Sequence, residues 1–277
     1  MAELAHSSGV ALPDHEVLHV EDLTIWFGGL LALDGLTFSV YDKEIFGLIG
    51  PNGAGKTTAF NCITQFYKPT KGKVLFRSKT GKNSILDLCG CPVHSIIRYG
   101  LVRTFQNVEV IKELSLIDNV LIGAHIDFKS NPLSQALKLP SARREEALYR
   151  QKAFDTLKFL GIDDRANLLA AGQPYGVLKK VELARTLLCD PKLIILDEPA
   201  AGLNDVETQE LAEVIKKIRD TYHCAILLVE HDMRLVMTIC DRICAISFGK
   251  FLACDTPEGI QKNQLVQEAY LGKGDDE

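Results

Sequence analysis

One glycine-rich stretch places the strongest constraint on the fold of this chain. It reads Gly50, Pro51, Asn52, Gly53, Ala54, Gly55, Lys56, Thr57, Thr58. It follows an apolar run at 44–49 and fits the phosphate-loop pattern, in which backbone N–H groups surround phosphate oxygens at the N-terminus of a helix. In this pattern Lys56 reaches the β- and γ-phosphates of a nucleotide and Thr57 holds Mg²⁺. The sequence therefore predicts a nucleotide site between a buried strand and a helix.

Composition limits the other function classes. The 277 residues are 47% hydrophobic, which is enough for one large core or for one core with a smaller appended subdomain. The formal net charge of −5 argues against broad binding to nucleic acid or anionic lipid, because both need a basic surface. The eight cysteines show no paired zinc-type spacing, which favours buried free thiols. No apolar run reaches the ~18 residues that a membrane-spanning helix needs, so we expect any membrane role to come through a partner.

The first part of the chain reads as strands around the phosphate loop. Uneven alternation at 17–27 and the apolar positions at 36–40 predict two strands. We expect them to join the strand at 44–49 in the sheet that delivers the phosphate loop. A helix should run from Lys56 to about Tyr67, where turn residues follow.

A helical insertion at about 106–173 interrupts this pattern, because apolar residues there recur at helical spacing. Strands alternate with helices again after Lys192, which predicts a parallel-rich sheet with helices on its faces. A single closing helix is expected at 257–271. The sequence thus predicts one α/β domain over 17–277, preceded by a mobile tail at 1–16.

Two carboxylates end the apolar strand predicted at 193–196. Asp197 follows directly, and Glu198 comes next. A carboxylate at the tip of a neighbouring strand is what Mg²⁺ needs beside Thr57. Glu198 can then act as the general base that polarises an attacking water.

A histidine follows the apolar strand that ends at Val229. Because strand tips in an open parallel sheet gather at the ligand-binding edge, His231 could contact the γ-phosphate. The alternative is structural, since Asp232 could cap the next helix.

These motifs, in this order and over nearly the whole chain, resemble the ATP-binding subunit of an ATP-binding-cassette (ABC) transporter. The matching motifs are the phosphate loop, a glutamine loop at Gln106, a signature segment at 173–177, the Asp197–Glu198 pair, a D-loop at 200–204 and the switch histidine His231. Segments 23–33, 60–64, 102–107, 197–204 and 230–233 resemble the G-type cassette of branched-chain amino-acid importers. The resemblance implies a P-loop NTPase fold with a RecA-like core, an antiparallel β subdomain and an inserted helical subdomain at about 107–175.

The resemblance also implies roles for individual residues. ATP would be held by the phosphate loop of one chain and by the signature of another, here through Tyr175 and Gly176. Gln106 would act with Glu198 and His231 in catalysis. It would also join Thr57 and Asp197 around Mg²⁺, and so link the nucleotide to the helical insertion.

Phe27 matches the aromatic residue that stacks on adenine in this family. Core packing is the alternative role for Phe27. Trp26 is expected on the opposite face of the strand, because successive side chains alternate.

The signature segment departs from the common Leu-Ser-Gly-Gly-Gln. It reads Gln173, Pro174, Tyr175, Gly176, Val177. The serine hydroxyl is missing, and Pro174 has no N–H group. The N–H groups of Tyr175 and Gly176 and the N-terminus of a helix expected at 177–188 remain, which predicts an anion site with fewer donors.

The family resemblance implies partners that the motifs alone do not. These are transmembrane permease subunits, a second cassette that is a paralogue or another copy, and, indirectly, a solute-binding protein, at the cytoplasmic face of a bacterial inner membrane. We expect no nucleic acid partner. The expected function is to energise import of branched-chain or other hydrophobic amino acids. The alternatives are urea or lipid-type cargo, and a soluble cassette ATPase that acts on nucleic acid or ribosomes.

Overall fold

The computed structural model describes residues 12–80, 84–104, 108–126 and 140–271. Two compact units divide the chain: the first holds the segments up to Arg103 and from Lys192 onward, and the second is Thr104–Pro191. The strands, all in the first unit, are β1 (Glu16–Phe27), β2 (Leu30–Tyr41), β3 (Ile45–Ile49), β4 (Lys71–Arg77), β5 (Ile85–Asp87), β6 (Leu101–Arg103), β7 (Leu193–Asp197), β8 (Ala225–Val229), β9 (Arg242–Ser247) and β10 (Lys250–Asp255).

Helices connect the strands within the first unit, and they make up more than half of the described residues of the second unit. In chain order they are α1 (Lys56–Ile63), α2 (Val93–Ile96), α3 (Leu116–Leu121), α4 (Pro140–Phe159), α5 (Tyr175–Leu188), α6 (Asp205–Tyr222), α7 (Met233–Ile239), α8 (Pro257–Lys262) and α9 (Gln264–Leu271). The second unit contains α3, α4 and α5. Across the described ranges, no helix is both long and apolar enough to cross a membrane.

The first unit contains two sheets. The larger sheet has the strand order β10-β9-β3-β8-β7-β6, in which only β10 runs antiparallel to its neighbour. Every residue of β3, β7 and β8 is buried, as expected for parallel strands covered on both faces. The smaller sheet is antiparallel, with the order β2-β1-β4-β5. The predicted α/β class with an antiparallel sheet is therefore confirmed.

The prediction that the first two strands share a sheet with the strand of the phosphate loop is wrong. β1 and β2 form an antiparallel hairpin in the smaller sheet, whereas β3 lies between β9 and β8 in the larger one. The chain changes sheet at a tight turn, where Lys43 has a φ of 57° and the Glu44 carboxylate accepts the N–H of Tyr41 at 2.7 Å. The stacked rings of Phe38 and Phe46, 5.4 Å apart, pack the two sheets together.

Residues 12–16 are not part of a mobile tail, contrary to the sequence prediction. Leu12 is buried, and β1 already begins at Glu16. The guanidinium of Arg77 donates hydrogen bonds to the carbonyl oxygens of Leu12, Pro13 and Glu16 at 2.7 to 3.0 Å. These bonds fix the segment against β4. The rest of the predicted tail lies outside the described residues.

Three helix boundaries differ from the prediction for local reasons. α1 stops at Ile63 rather than near Tyr67, because Gln65 takes a left-handed conformation with φ 61°. The closing helix is broken in two at Asn263, whose side chain accepts the N–H groups that start α9. α5 begins two residues early, at Tyr175.

The second unit is larger than the expected helical subdomain at about 107–175. It also contains α5 and extends to Pro191. Arg185 on α5 donates to the carbonyl oxygens of Asn119 and Glu109 at 3.2 and 2.7 Å. These bonds join α5 to the segment around α3, so the boundary lies beyond the signature segment.

None of the eight cysteines forms a disulfide, and the predicted burial holds for six of them. Cys89 and Cys254 are partly exposed, and the other six are buried. Burial raises the pKa of Cys62 and of Cys89 to about 12, so both thiols are protonated at neutral pH.

Candidate nucleotide site

The phosphate loop leaves the carboxyl end of β3 and leads into α1. Two of its glycines are required by close backbone contacts. A Cβ atom on Gly50 would lie 2.3 Å from the carbonyl oxygen of Ile246 on β9. A Cβ on Gly55, whose φ is 103°, would lie 2.9 Å from the carbonyl oxygen of Ala32 on β2. The loop is therefore packed against both sheets, and larger residues at these positions would displace it.

A cleft of about 400 Å³ lies over the loop. It is lined by residues 52–58 together with Phe27, Glu198 and Phe248. Phe248 is 86% exposed and has a φ of 45° in the turn between β9 and β10. Phe248 belongs to no motif of the sequence. An isolated aromatic residue before Gly249, between two strands, was the available signal.

Lys56 carries a buried positive charge in this loop. Its Nζ donates hydrogen bonds to the carbonyl oxygens of Gly50 and Pro51 at 2.6 and 3.1 Å. Burial lowers the pKa of Lys56, and the negative charge of Glu198 partly opposes that shift. This desolvated ammonium is bonded to neutral carbonyls and to no anion among the residues that the structure describes, so its environment fits a phosphate group.

Asp197 ends β7 and is held by a basic residue to which the sequence motifs gave no role. Arg103, at the end of the adjacent strand β6, donates through Nη2 to Asp197 Oδ2 at 2.7 Å. Its Nη1 donates to Asn61 Oδ1 on α1, also at 2.7 Å. The Arg103 guanidinium therefore links β7 to the helix that follows the phosphate loop. A charged residue after the apolar pair Leu101–Val102 was the only sequence signal.

The residues predicted to hold a metal provide few protein ligands. Thr57 is exposed at the start of α1, whereas Asp197 is 5% exposed. Among the described residues, no group of three or more His, Cys, Asp or Glu side chains could hold a metal ion. One hydroxyl and one carboxylate fit Mg²⁺, which usually takes one or two protein ligands together with water and phosphate oxygens. Gln106, the third predicted metal ligand, lies outside the described residues.

Glu198 and His231 lie close to each other at the ends of adjacent strands. Glu198 has a φ of 47°, and its N–H donates to the carbonyl of Val229 at 2.9 Å. His231 Nδ1 is 3.9 Å from Glu198 Oε2, and the two side chains are 61% and 26% exposed.

Asp232 caps α7, because its side chain accepts the N–H of Arg234 at 2.9 Å. The capping prediction is confirmed, and the catalytic role of His231 stays a prediction.

Glu230 is a further residue of this region, and no sequence motif gave it a role. It follows β8 and is fully buried. Its carboxylate accepts hydrogen bonds from the N–H groups of Ala200, His231 and Asp232. A charged residue directly after an apolar strand and before His231 was the sequence signal. The carboxylate thus connects two loops that carry predicted site residues.

Phe27 lines the cleft, and its neighbour Trp26 does not. Both side chains are exposed, at 43% and 48%. The Phe27 ring contacts Tyr67 edge-on, with centroids 5.2 Å apart. The exposed position of Phe27 argues against core packing as its main role.

The signature segment lies in the second unit, at the start of α5. The carbonyl oxygen of Pro174 accepts the N–H groups of Val177 and Leu178 at 3.0 and 3.1 Å. The N–H groups of Tyr175 and Gly176 are the first two of the helix and have no acceptor within it. This arrangement supports the expectation of an anion site with two main-chain donors.

The parallel sheet, the phosphate loop and the acidic strand end define a phosphate-loop nucleotide-binding protein. Residues 33–201 match the family described as ABC transporter. The chain belongs to this family, and it is an ATP-binding cassette with the ATPase function of that class. Residues 252–276 match the family described as branched-chain amino acid ATP-binding cassette transporter.

Individual relatives cover nearly the whole chain. It is 45% identical over 257 residues to the high-affinity branched-chain amino acid transport ATP-binding protein LivG of Escherichia coli K12, covering 93% of this chain and 98% of that protein. It is 42% identical to the corresponding protein BraF of Pseudomonas aeruginosa, with the same coverage. An ATP-binding cassette of an ABC transporter, solved in its ADP conformation, superposes with a TM-score of 0.78 at 29% identity, covering 93% of this chain and 99% of that structure. The family prediction is confirmed.

Proposed function

We propose that this chain is the ATP-hydrolysing subunit of an importer for branched-chain or other hydrophobic amino acids. The observation that carries the proposal is the 45% identity to LivG of Escherichia coli over 93% of the chain. The match of residues 252–276 to the branched-chain cassette family supports the same cargo. The cargo would contact membrane and binding-protein subunits rather than this chain, so sequence similarity is the evidence for it.

The proposed working form is a complex at the cytoplasmic face of a bacterial inner membrane. Transmembrane permease subunits would attach the cassette to the membrane. A second cassette, either a paralogue or another copy of this chain, would pair with it, and a solute-binding protein would act indirectly. The net charge of −5 and the family membership give no support to a nucleic acid partner.

In the proposed mechanism, residues of the first unit bind ATP and activate water. The phosphate loop and Lys56 bind the phosphates, and Phe27 stacks on the adenine. Glu198 accepts a proton from the water whose oxygen bonds to the γ-phosphorus as the bond to ADP breaks. His231, beside Glu198, contacts the transferred phosphoryl group. Mg²⁺, held by Thr57 and by Asp197 directly or through water, would neutralise charge on the phosphates.

The second unit and the partner cassette would complete the reaction. Gln106 would connect the nucleotide to the helical segment, so that closure on ATP moves the permease. Tyr175 and Gly176 would bind the γ-phosphate of the ATP held by the other cassette. Their N–H groups at the start of α5 support this role.

Uptake measured with competing solutes tests the cargo. The chain would be expressed with the permease and binding-protein subunits encoded beside it, in cells that lack their own leucine uptake. Accumulation of labelled leucine, suppressed by excess isoleucine and unaffected by urea, is the expected result. Accumulation of urea without leucine would contradict the amino-acid cargo and would show that the cassette energises import of another solute.

A further inference from the structure

Glu230 lies between two loops of the candidate site. One is the D-loop at 200–204, and the other, the histidine loop, begins with His231. Glu230 is 0% exposed, so its carboxylate must find its partners inside the protein. Oε1 accepts the N–H of Ala200 at 2.8 Å. Oε2 accepts the N–H groups of His231 and Asp232 at 2.9 and 3.2 Å.

Each carboxylate oxygen therefore serves a different loop. Three buried or partly buried N–H groups depend on one side chain, and a lost acceptor would leave donors without partners. A glutamine at this position keeps one acceptor oxygen and turns an NH₂ group toward the remaining N–H donors. An aspartate is one methylene shorter and can reach only one of the two loops. The geometry thus requires the glutamate itself.

The same bonds fix the two residues expected to act on water and phosphate. Glu198 is two residues before Ala200, and its own N–H is bonded to Val229, directly before Glu230. His231 follows Glu230 in the chain. The backbone segments that carry Glu198 and His231 therefore both end on the Glu230 carboxylate. His231 Nδ1 lies 3.5 Å from Glu230 Oε2 and 3.9 Å from Glu198 Oε2.

We propose that Glu230 is a positioning residue that fixes Glu198 and His231 relative to each other. It also couples the ordering of the D-loop to the ordering of the histidine loop. This inference rests on the proposed function for its effect on turnover. The coupling itself is a property of the folded chain. Release of one loop from the carboxylate should loosen the other, because Oε1 and Oε2 belong to one rigid group.

Two variants and one control test the proposal in the assembled transporter. Glu230→Gln and Glu230→Asp should lower kcat for ATP hydrolysis by about tenfold or more, since small displacements of reacting groups can cost about a hundredfold. KM for ATP should stay within about twofold, because Lys56 and the phosphate loop are unchanged. Glu44→Gln is the control. It alters another buried carboxylate, which accepts the N–H of Tyr41 at 2.7 Å outside the site, and it should leave kcat unchanged.

Hydrogen exchange of the full chain without nucleotide provides the readout independent of activity. In both Glu230 variants the amides of Ala200 and of His231 should exchange faster together, whereas Glu44→Gln should change neither. Increased exchange in only one loop, or kcat within twofold of wild type in a folded Glu230 variant, would overturn the proposal. If one variant does not fold, the other carries the test. An inactive wild-type complex would contradict the proposed function instead, and the exchange result would still decide the coupling.

Discussion

Arg103 Nη2 lies 2.7 Å from Asp197 Oδ2, and the two side chains are only 13% and 7% exposed. This buried ion pair connects the end of β6 to the acidic end of β7. Because Asp197 is the proposed partner of Mg²⁺, Arg103 would control both the orientation and the charge balance of a carboxylate in the proposed metal site.

Replacement of Arg103 should therefore be costly. We expect Arg103→Met to lower the free energy of unfolding by about 3–5 kcal/mol, because it leaves a buried carboxylate unpaired. Urea unfolding of the full chain measures this change. Arg150→Met is the matched control: its ion pair with Asp118, at 2.9 Å, is 44% and 40% exposed and should contribute less than about 1 kcal/mol. Equal losses in the two variants would contradict the structural role of Arg103.

The Lys56 ammonium should make nucleotide binding sensitive to alkaline pH. Only the protonated lysine attracts phosphate, and burial lowers its pKa below the ordinary 10.5. ATP affinity should therefore be constant near neutral pH and fall as pH rises, with a midpoint below 10.5. Glu198→Gln should move this midpoint lower still, because the charge of Glu198 raises the pKa of Lys56. Equilibrium binding at a series of pH values measures both shifts.

Lys56→Arg is the control for this titration, since a guanidinium stays protonated throughout the range. The ATP affinity of this variant should not fall with pH between about 7 and about 10.5, the range from neutral pH to the ordinary pKa of lysine. A wild-type profile as flat as that of the arginine variant would contradict the assignment of the titrating group.

Phe27 and Trp26 offer a matched pair of aromatic substitutions. Phe27→Ala should weaken ATP binding by about tenfold, because stacking of a base on an aromatic ring contributes about 1–3 kcal/mol. Trp26→Ala should have no comparable effect, as Trp26 is equally exposed but lies outside the residues that line the cleft. Binding of inorganic triphosphate should be the same in both variants. An equal loss of ATP affinity in both variants would contradict the assignment of Phe27 as the residue that stacks on the adenine.

The altered signature predicts two unequal ATP sites if the partner cassette is a paralogue. Glu198→Gln acts on the site built around this chain's phosphate loop. Gly176→Asp places a negative charge beside the two remaining N–H donors at the start of α5, and so acts on the other site. In the assembled complex we expect Glu198→Gln to reduce ATP hydrolysis far more. Equal reductions would argue that both sites turn over equally.

The strands at the centre of the larger sheet could be predicted because burial on both faces requires a recognisable run of apolar residues. β3, β7 and β8 are buried on both faces, so they read as unbroken apolar runs. Parallel strands share one edge for their carboxyl ends, which brings Glu198 and His231 together from distant positions. The proximity of Glu198 and His231 could thus be predicted from the ends of two apolar strands.

Other features depend on contacts that a single strand does not reveal. Alternation indicates that β1 and β2 are strands, but not which sheet they join. Arg103 and Glu230 are defined by hydrogen bonds to Asp197 and Ala200, 94 and 30 positions away. The left-handed conformation of Gln65, which ends α1, depends equally on its surroundings.

ATP-driven leucine uptake is the decisive measurement of the proposed transport function. The complete transporter would be placed in proteoliposomes with ATP inside and with binding protein and labelled leucine outside. Wild-type complexes should accumulate leucine only when ATP is present. Glu198→Gln should bind ATP with nearly unchanged affinity but reduce hydrolysis and uptake by about 10²–10⁴-fold, the usual contribution of a general base. Wild-type uptake by the Glu198→Gln complex, or ATP-independent uptake by the wild type, would contradict the proposal.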